Sequence, residues 1–198
     1  IDRVDILRGE RVKIIDYKTG NENFNRAEAE AGYRLQLMLY LNACLGERTS
    51  GEARKPAGVF YFHISEPMVD WSAKAPDADK LAQEVRKNFK MNGVLVDDPQ
   101  VIESIAGDFS GYSEILPLRN GKDGISATGG DTLLSETEFA ALTETVSQKV
   151  TELCRDLAAG KIDIQPMKTR ERSACTYCQY KGICRFDTIF EGCRWRIV

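Results

Sequence analysis

The chain has 198 residues, 42% of them hydrophobic and 29% charged, enough to bury one sizeable core in a single globular domain. No apolar run approaches membrane-spanning length, and the first residues lack the basic-then-apolar order of a secretory signal, so the expected compartment is the cytoplasm. A formal net charge of −3 excludes coating nucleic acid by bulk electrostatics and leaves room only for a local basic groove.

The opening stretch DRVDILRGERVKIIDYKTG, residues 2–20, alternates branched apolar and polar residues about Gly9 and predicts a β-hairpin. It begins within an apparent strand and without an initiator Met, so the chain is expected to be cut from a longer protein. Residues 26–48 carry Leu35, Met38, Leu39, Leu41 and Leu45 at helical spacing, which predicts one helix ending near Gly46. A polar loop follows, and AGVFYFHIS, residues 57–65, reads as a buried strand returning to the sheet. Helices are predicted over 77–93 and 97–107. The Gly- and Ser-rich stretch 108–132 reads as a hairpin or a mobile loop. A helix over 135–160 opens on a capping box, Ser135 with Glu138, and closes on Gly160. The remaining tail holds most of the cysteines. No internal repeat or low-complexity segment occurs.

The hairpin poses a chemical question. With an unbulged turn at Gly9, opposed residues have numbers summing to 18, so Asp2 faces Asp16 across the strands and Asp5 faces Lys13. Asp2, Val4, Ile6, Val12, Ile14, Asp16 and Lys18 then share one face, apolar near the turn and charged at the open end. Two carboxylates about 5 Å apart repel each other unless a cation lies between them. A hard divalent ion such as Mg²⁺ (or Mn²⁺) suits the pair, because it takes oxygen ligands and commonly uses only one or two protein carboxylates plus substrate phosphate. Lys18 points to the same side and is placed to hold an attacking water or to offset charge on a phosphorus-centred transition state. A D-x-K tripeptide by itself is most often an ion pair at a strand end. Gln36 and Tyr40, four apart on the next helix, add a second polar element on that side.

In the tail, Cys175, Cys178 and Cys184 follow a C-x2-C-x5-C spacing that lets three thiolates converge on one centre. By spacing alone, zinc is the favoured metal, with Cys193 available as a fourth ligand. Lys168, Arg170, Arg172, Lys181 and Arg185, interleaved with Tyr177, Tyr180 and Phe186, form a basic and aromatic patch suited to single-stranded DNA or to plain solvation. His63, the single histidine, reads as structural, and Cys44 and Cys154 as small apolar packing residues.

The run IDRVD…IIDYKTG…LQLMLY resembles the PD-(D/E)XK nuclease superfamily and its RecB-like branch. With PAGVFYF, KNFKMNGVLVDDPQVI and CTYCQYKGICRFD, it is similar to the nuclease domains of B subunits of AddAB-type helicase–nucleases. The resemblance covers most of the chain and is weakest over 108–132. It implies an α/β, restriction-endonuclease-like core with a central mixed sheet flanked by helices, spanning 1–160, and a cysteine-rich tail over 161–198. It further implies that Asp2 and Asp16, with the backbone carbonyl of Tyr17, bind the metal, that Lys18 is the catalytic lysine, and that Gln36 and Tyr40 are the polar motif on the following helix. Cys175, Cys178 and Cys184 would be three ligands of a [4Fe–4S] cluster whose fourth cysteine lies far upstream, leaving the cluster incomplete in this fragment. The implied activity is an exonuclease that cuts the 5′-ended strand at an unwound duplex end for recombinational repair, with a helicase–nuclease A subunit as partner. ATP hydrolysis would reside elsewhere, since the chain has no P-loop. The alternatives are a free-standing exonuclease of the kind found with CRISPR systems and a catalytically silent DNA-end-binding scaffold.

Overall fold

A computed structural model describes residues 1–46, 53–64, 78–170 and 172–198. The hairpin is present as β1 (Arg3–Leu7) and β2 (Arg11–Lys18), antiparallel, with Arg3 opposite Ile15 and Leu7 opposite Arg11, the unbulged register. Gly9 and Glu10 close the turn with φ of 74° and 54°, a left-handed pair that a short hairpin of the observed twist requires. Two helices, α1 (Arg26–Glu30) and α2 (Gln36–Gly46), lead to β3 (Lys55–His63), which lies parallel to β2. Then come α3 (Ala78–Asn88), β4 (Asn92–Val96) antiparallel to β3, and α4 (Pro99–Ala106), capped by the Asp98 carboxylate. Strands β5 (Gly111–Tyr112), β6 (Leu118–Gly121) and β7 (Gly124–Ala127) form a small antiparallel sheet, and β8 (Leu133–Leu134) joins the main one. The 23-residue α5 (Glu136–Ala158) starts at the predicted capping box. The tail adds β9 (Met167–Lys168), the one-turn α6 (Lys181–Cys184) and β10 (Arg196–Ile197).

The main sheet runs β1-β2-β3-β4-β8, mixed in direction and covered on both faces. On one face Val12, Ile14, Val59, Tyr61 and Val94 pack against Leu37, Met38 and Leu41 of α2 and Phe139, Leu142 and Val146 of α5. On the other, Ile15, Phe60 and Leu95 meet Val101, Ile102 and Ile105 of α4, with Leu118 from the small sheet and Leu116 from the loop before β6. Burying both faces explains why the central strands read as near-continuous apolar runs. Val4 and Ile6 share the α2 face but stay exposed, because β1 is the edge strand and the helices cover its neighbours.

Three expectations change, and of the two readings of 108–132 one holds. The helix expected over 26–48 is two helices, because Gly32 (φ 87°) and Arg34 (φ 53°) turn the chain between them; a Cβ on Gly32 would sit 2.9 Å from the Lys149 side chain of α5. The helix expected over 77–93 ends at Asn88, and the missed β4 begins at Asn92. At Gly93 a Cβ would fall 1.9 Å from the Val59 carbonyl, so only glycine lets β4 approach β3 here. The stretch 108–132 holds a hairpin, β6–β7, within the small sheet. Cys44 is buried in the core as expected, but Cys154 is exposed, because the buried stripe of α5 ends at Val146 and the helix continues past the sheet. Most of the polar loop after Gly46, Ser65 at the end of the strand prediction and Asp77 lie outside the described residues.

Candidate active site

The open end of the hairpin brings Asp2 beside the end of β2: the Tyr17 N–H donates to Asp2 Oδ2 at 2.8 Å. In a strand, the N–H and C=O of one residue point to the same side, so the Tyr17 carbonyl also faces the Asp2 edge. Asp16 points to the opposite sheet face from Lys13, Ile15 and Tyr17, the face on which α2 packs. It is 3% exposed. Its Oδ2 is in ion-pair contact with the Lys18 ammonium, and otherwise this buried oxygen has no hydrogen-bond partner among the described residues.

Lys18 is the hub. Its Nζ donates to Gln36 Oε1 at 3.0 Å, and Gln36 Nε2 donates to the Tyr40 hydroxyl at 2.9 Å. The i and i+4 spacing of Gln36 and Tyr40 on α2 makes this relay possible, and the burial of Leu37, Met38 and Leu41 against β2 and β3 presses it onto the strand end. The ammonium lies 5.4 Å from the centroid of the Tyr61 ring, the residue paired with Asp16 across β2 and β3. The hydrogen bond to Asp16 holds Lys18 above the ordinary lysine range against partial burial, with smaller support from the charges of Asp16, Tyr61 and Glu22. Burial pushes the Tyr61 phenol up, and Lys18 pulls it back in part.

Sequence reasoning does not single out Tyr61 or Glu22. Tyr61 looks like any core aromatic until the parallel pairing of β2 with β3 is known. Glu22 sits in the loop after β2, its Oε2 buried without a hydrogen-bond partner among the described residues, its carbonyl 2.9 Å from His63 Nε2. His63 thus anchors the loop that carries Glu22, a structural role. Asp5 pairs with Lys13 at 2.7 Å and Arg3 at 2.8 Å, away from the Asp2–Asp16 end.

The donor chemistry at the hairpin end suits a hard cation. A buried carboxylate oxygen whose contact among the described residues is the Lys18 ammonium, a second carboxylate just before the neighbouring strand and a backbone carbonyl on the same edge are oxygen ligands of the kind Mg²⁺ accepts alongside water and phosphate. Among the described residues no group of three or more His, Cys, Asp or Glu side chains is placed to hold a metal ion. That applies to the tail as well. Cys175, Cys178, Cys184 and Cys193 are free thiols, with Cys178 and Cys184 exposed. Burial raises the Cys175 thiol, and the nearby Cys178 and Cys184 add to it.

Of the basic tail residues, Arg170 and Arg172 line a cavity with Asn23, Asn25 and Glu28 near the start of α1. The Lys168 ammonium lies 5.3 Å over the Trp195 ring, which meets Phe186 edge-on at 4.6 Å. Lys181 and Arg185 are exposed at the two ends of α6.

The PD-(D/E)XK nuclease superfamily model matches residues 1–185, and the acid, acid and lysine at the hairpin end lie within that match. The chain belongs to this superfamily. Curated relatives match it along its whole length. The B subunit of the ATP-dependent helicase/deoxyribonuclease of Clostridium botulinum strain Hall is 34% identical over 203 residues, 100% of this chain and 18% of that protein. The proteins of the same name from Clostridium acetobutylicum and Alkaliphilus oremlandii are 35% and 36% identical, the chain again fully covered, with 17% and 18% of their lengths matched. The chain spans less than a fifth of the length of these relatives. A superfamily nuclease fold with a mixed sheet between helical layers is thus the setting of Asp2, Asp16 and Lys18. Among the described residues no helix is long and apolar enough to cross a membrane.

Proposed function

We propose that the chain is the DNA-cleaving domain of a helicase–nuclease and hydrolyses phosphodiesters with a divalent ion, Mg²⁺ or Mn²⁺, held by Asp2, Asp16 and the Tyr17 carbonyl. The observation that carries this reading is Lys18 at the end of β2, tied to Asp16 on one side and to Gln36 and Tyr40 on the other, with the Asp2 carboxylate held on the intervening Tyr17 N–H. A bound ion would supply Lewis acidity at a phosphoryl oxygen and an acidified water. The residues of the chain do the rest. Lys18 carries a fixed positive charge to where negative charge builds on the phosphorus. Gln36, oriented by Tyr40, holds that flexible side chain in one place, which removes the entropy cost of ordering it during the reaction. Asp16, buried on the core face, is available to a cation that enters from the open end of the hairpin.

The likeness to B subunits of helicase/deoxyribonucleases supports a larger machine: DNA unwound from a duplex end as substrate, an A subunit as partner, cleavage of the 5′-ended strand, work in recombinational repair, and a cytoplasmic location. The C-x2-C-x5-C spacing of Cys175, Cys178 and Cys184 supports their contributing to a [4Fe–4S] cluster in a longer protein. On this reading residues 1–160 are the nuclease core and 161–198 the cluster-bearing tail. A free-standing exonuclease does not account for the likeness to a small fraction of much longer subunits. A silent scaffold does not account for the complete Asp2, Asp16 and Lys18 set.

The test is cleavage of end-labelled single-stranded DNA. Degradation is expected with Mg²⁺ and not with a chelator, and Asp16→Ala is expected to abolish it while melting no earlier than the parent without metal, since it deletes a buried charge. Cleavage at the parental rate by Asp16→Ala overturns the assignment. Comparing 5′- and 3′-labelled strands of an unwinding duplex in the two-subunit enzyme tests the polarity. Iron and sulfide analysis of anaerobically purified protein tests the cluster.

A further inference from the structure

Beside the candidate active site lies a cleft of about 440 Å³ between the tail and the loop that leaves β2, walled by Asn21, Glu22, Tyr33, Arg34, Arg172 and Tyr177. Sequence distance hides it, because its walls come from three separate segments. Both of its ends have functional neighbours. At the inner end, the Glu22 carbonyl lies 2.9 Å from Nε2 of His63, the residue paired with Lys18 across β2 and β3. At the outer end, Arg172 is shared with the adjoining cavity of about 340 Å³ that Arg170 lines, so the cationic track continues along the tail.

The walls have the two chemistries a single nucleic-acid strand needs. Arg34 and Arg172 set two positive charges against the one negative charge of Glu22. Arg34 is held in an uncommon backbone state, φ 53°, which for a bulky residue costs free energy that its surroundings must offset. Its guanidinium lies 5.7 Å over the Tyr33 ring, and its protein partners are distant, the Asn23 carbonyl at 3.5 Å and Glu28 Oε2 at 3.9 Å. Charge and donors therefore remain for a ligand. Tyr177 is 94% exposed, a ring with both faces open at the cleft's edge.

We propose that this cleft guides single-stranded DNA to the hairpin end, with Arg34 and Arg172 on backbone phosphates and Tyr33 and Tyr177 stacked on unpaired bases. The proposal rests on the nuclease reading above and adds to it the path of the strand. Stacking on aromatic rings requires splayed bases, which a duplex does not offer, so the cleft selects for single strands. Glu22 repels phosphate at the inner end and leaves the arginines to set the strand's height in the cleft.

The experiment uses the whole chain with Asp16→Ala as background, so that DNA is bound and not cut, and a 5′-fluorescein oligothymidylate with Mg²⁺ as the probe. Tyr177→Ala and Arg172→Gln are each expected to weaken binding about tenfold. Arg172→Gln and Arg34→Gln are each expected to lower the dependence of log K on log salt by about one. Lys122→Gln, on the exposed β6–β7 turn, is the control that leaves affinity unchanged. A 5-iodouracil oligonucleotide is expected to crosslink to Tyr177 or Tyr33. Since Arg34 also braces the turn before α2, Tyr177→Ala and Arg172→Gln keep the test valid should Arg34→Gln misfold. Unchanged affinity in both Tyr177→Ala and Arg172→Gln overturns the proposal, as does a duplex of equal length that depends on Tyr177 as strongly as the single strand. The nuclease reading fails separately, if the parent chain does not cut DNA with Mg²⁺ or if Asp16→Ala still does.

Discussion

The hairpin end and the cysteine tail both gather chemically active side chains, yet they are built in opposite ways. At the hairpin end, Asp16 and Lys18 project from a strand whose Val12 and Ile14 are fully buried, and Gln36 and Tyr40 project from a helix locked by Leu37, Met38 and Leu41. The site is positioned by a core that exists without it. In the tail after Gly160, Met167 is the one buried hydrophobic residue among those described, while Tyr177, Tyr180, Ile183, Ile189 and Phe190 are exposed. Its order rests on turns, a two-residue strand pair and the Phe186–Trp195 contact. A catalytic site on a core is preorganised, whereas a segment without one draws its stability from whatever binds it.

The largest expected difference between the two regions is in local opening. Opening of the tail should cost little, whereas opening of β2 or β3 should cost a large share of the global stability, about 5–15 kcal/mol for a domain. Under native conditions trypsin is therefore expected to cut after Lys168, Arg172, Lys181 or Arg185 at least a hundredfold faster than within β2, and the trimmed core should keep its melting temperature within a few degrees. Equal protection of tail and core, read by mass spectrometry of the time course, breaks the comparison.

Next in size is the effect of Lys18 on chemistry. On the proposed mechanism Lys18→Ala removes a positive charge aimed at the reacting phosphorus, and loss of one preorganised electrostatic group costs about 10²–10³ in rate. Stability should change little, because Lys18 lies at a strand end with a partly exposed side chain. A kcat within a few-fold of the parent would show that the ion pair with Asp16 is structural only.

Gly93→Ala separates scaffold from site. The added Cβ meets the Val59 carbonyl at 1.9 Å, so β4 must move away from β3, and a loss of about 2–4 kcal/mol is expected in a denaturant titration. The same melt should leave the tail's protease sensitivity unaltered. A loss under about 1 kcal/mol would mean that the two strands have room to separate.

These elements also mark how far the sequence can be read. The hairpin register, the Asp5–Lys13 pair and the capping box of α5 follow from alternation, numbering across a tight turn and local hydrogen bonds, all set by neighbouring residues. What escapes depends on pairing between distant segments. NGVLV does not announce itself as β4 because five residues after a helix carry little periodicity, and the need for Gly93 is visible only once β3 lies beside it. One helix becomes two because Arg34 takes a left-handed conformation that its residue type does not signal. Within the site, Asp2, Asp16 and Lys18 can be proposed from the hairpin alone, whereas Tyr61 and Glu22 enter through the parallel β2–β3 pairing and the His63 anchor. The exposure of Cys154 shows the same limit, since apolar spacing along α5 does not tell where the sheet beneath it stops.

A smaller effect is expected in the relay. Tyr40→Phe leaves Gln36 without its acceptor while keeping the ring, so Lys18 loses orientation and not charge. About a tenfold drop in kcat is expected, roughly the 1.4 kcal/mol of one hydrogen bond. Tyr40→Ala should drop further, and a Phe variant equal to the parent would remove the hydroxyl from the mechanism.

The smallest effect is expected on the same hairpin, away from the acids proposed to hold the metal. Burial opposes ionisation of Asp5, but hydrogen bonds from Arg3 and Lys13 outweigh it and hold the carboxyl below the usual aspartate range. Asp5→Ala should leave metal-dependent cleavage intact and cost about 1 kcal/mol near neutral pH, more than a fully exposed pair because the Lys13 side chain is only 10% exposed and loses its carboxylate partner. The folded-state pKa is depressed, so the carboxylate's contribution is complete above the unfolded value of about 3.9 and fades as pH falls through the lower folded value. The stability gap between parent and Asp5→Ala, measured by urea titration, should therefore be level from pH 7 to about 4.5 and narrow below that. A gap that closes between pH 7 and 5 would assign the contribution to a different group. Loss of cleavage in Asp5→Ala, with Asp2→Ala still active, would move the metal site one residue out of the register that joins Arg3 to Ile15.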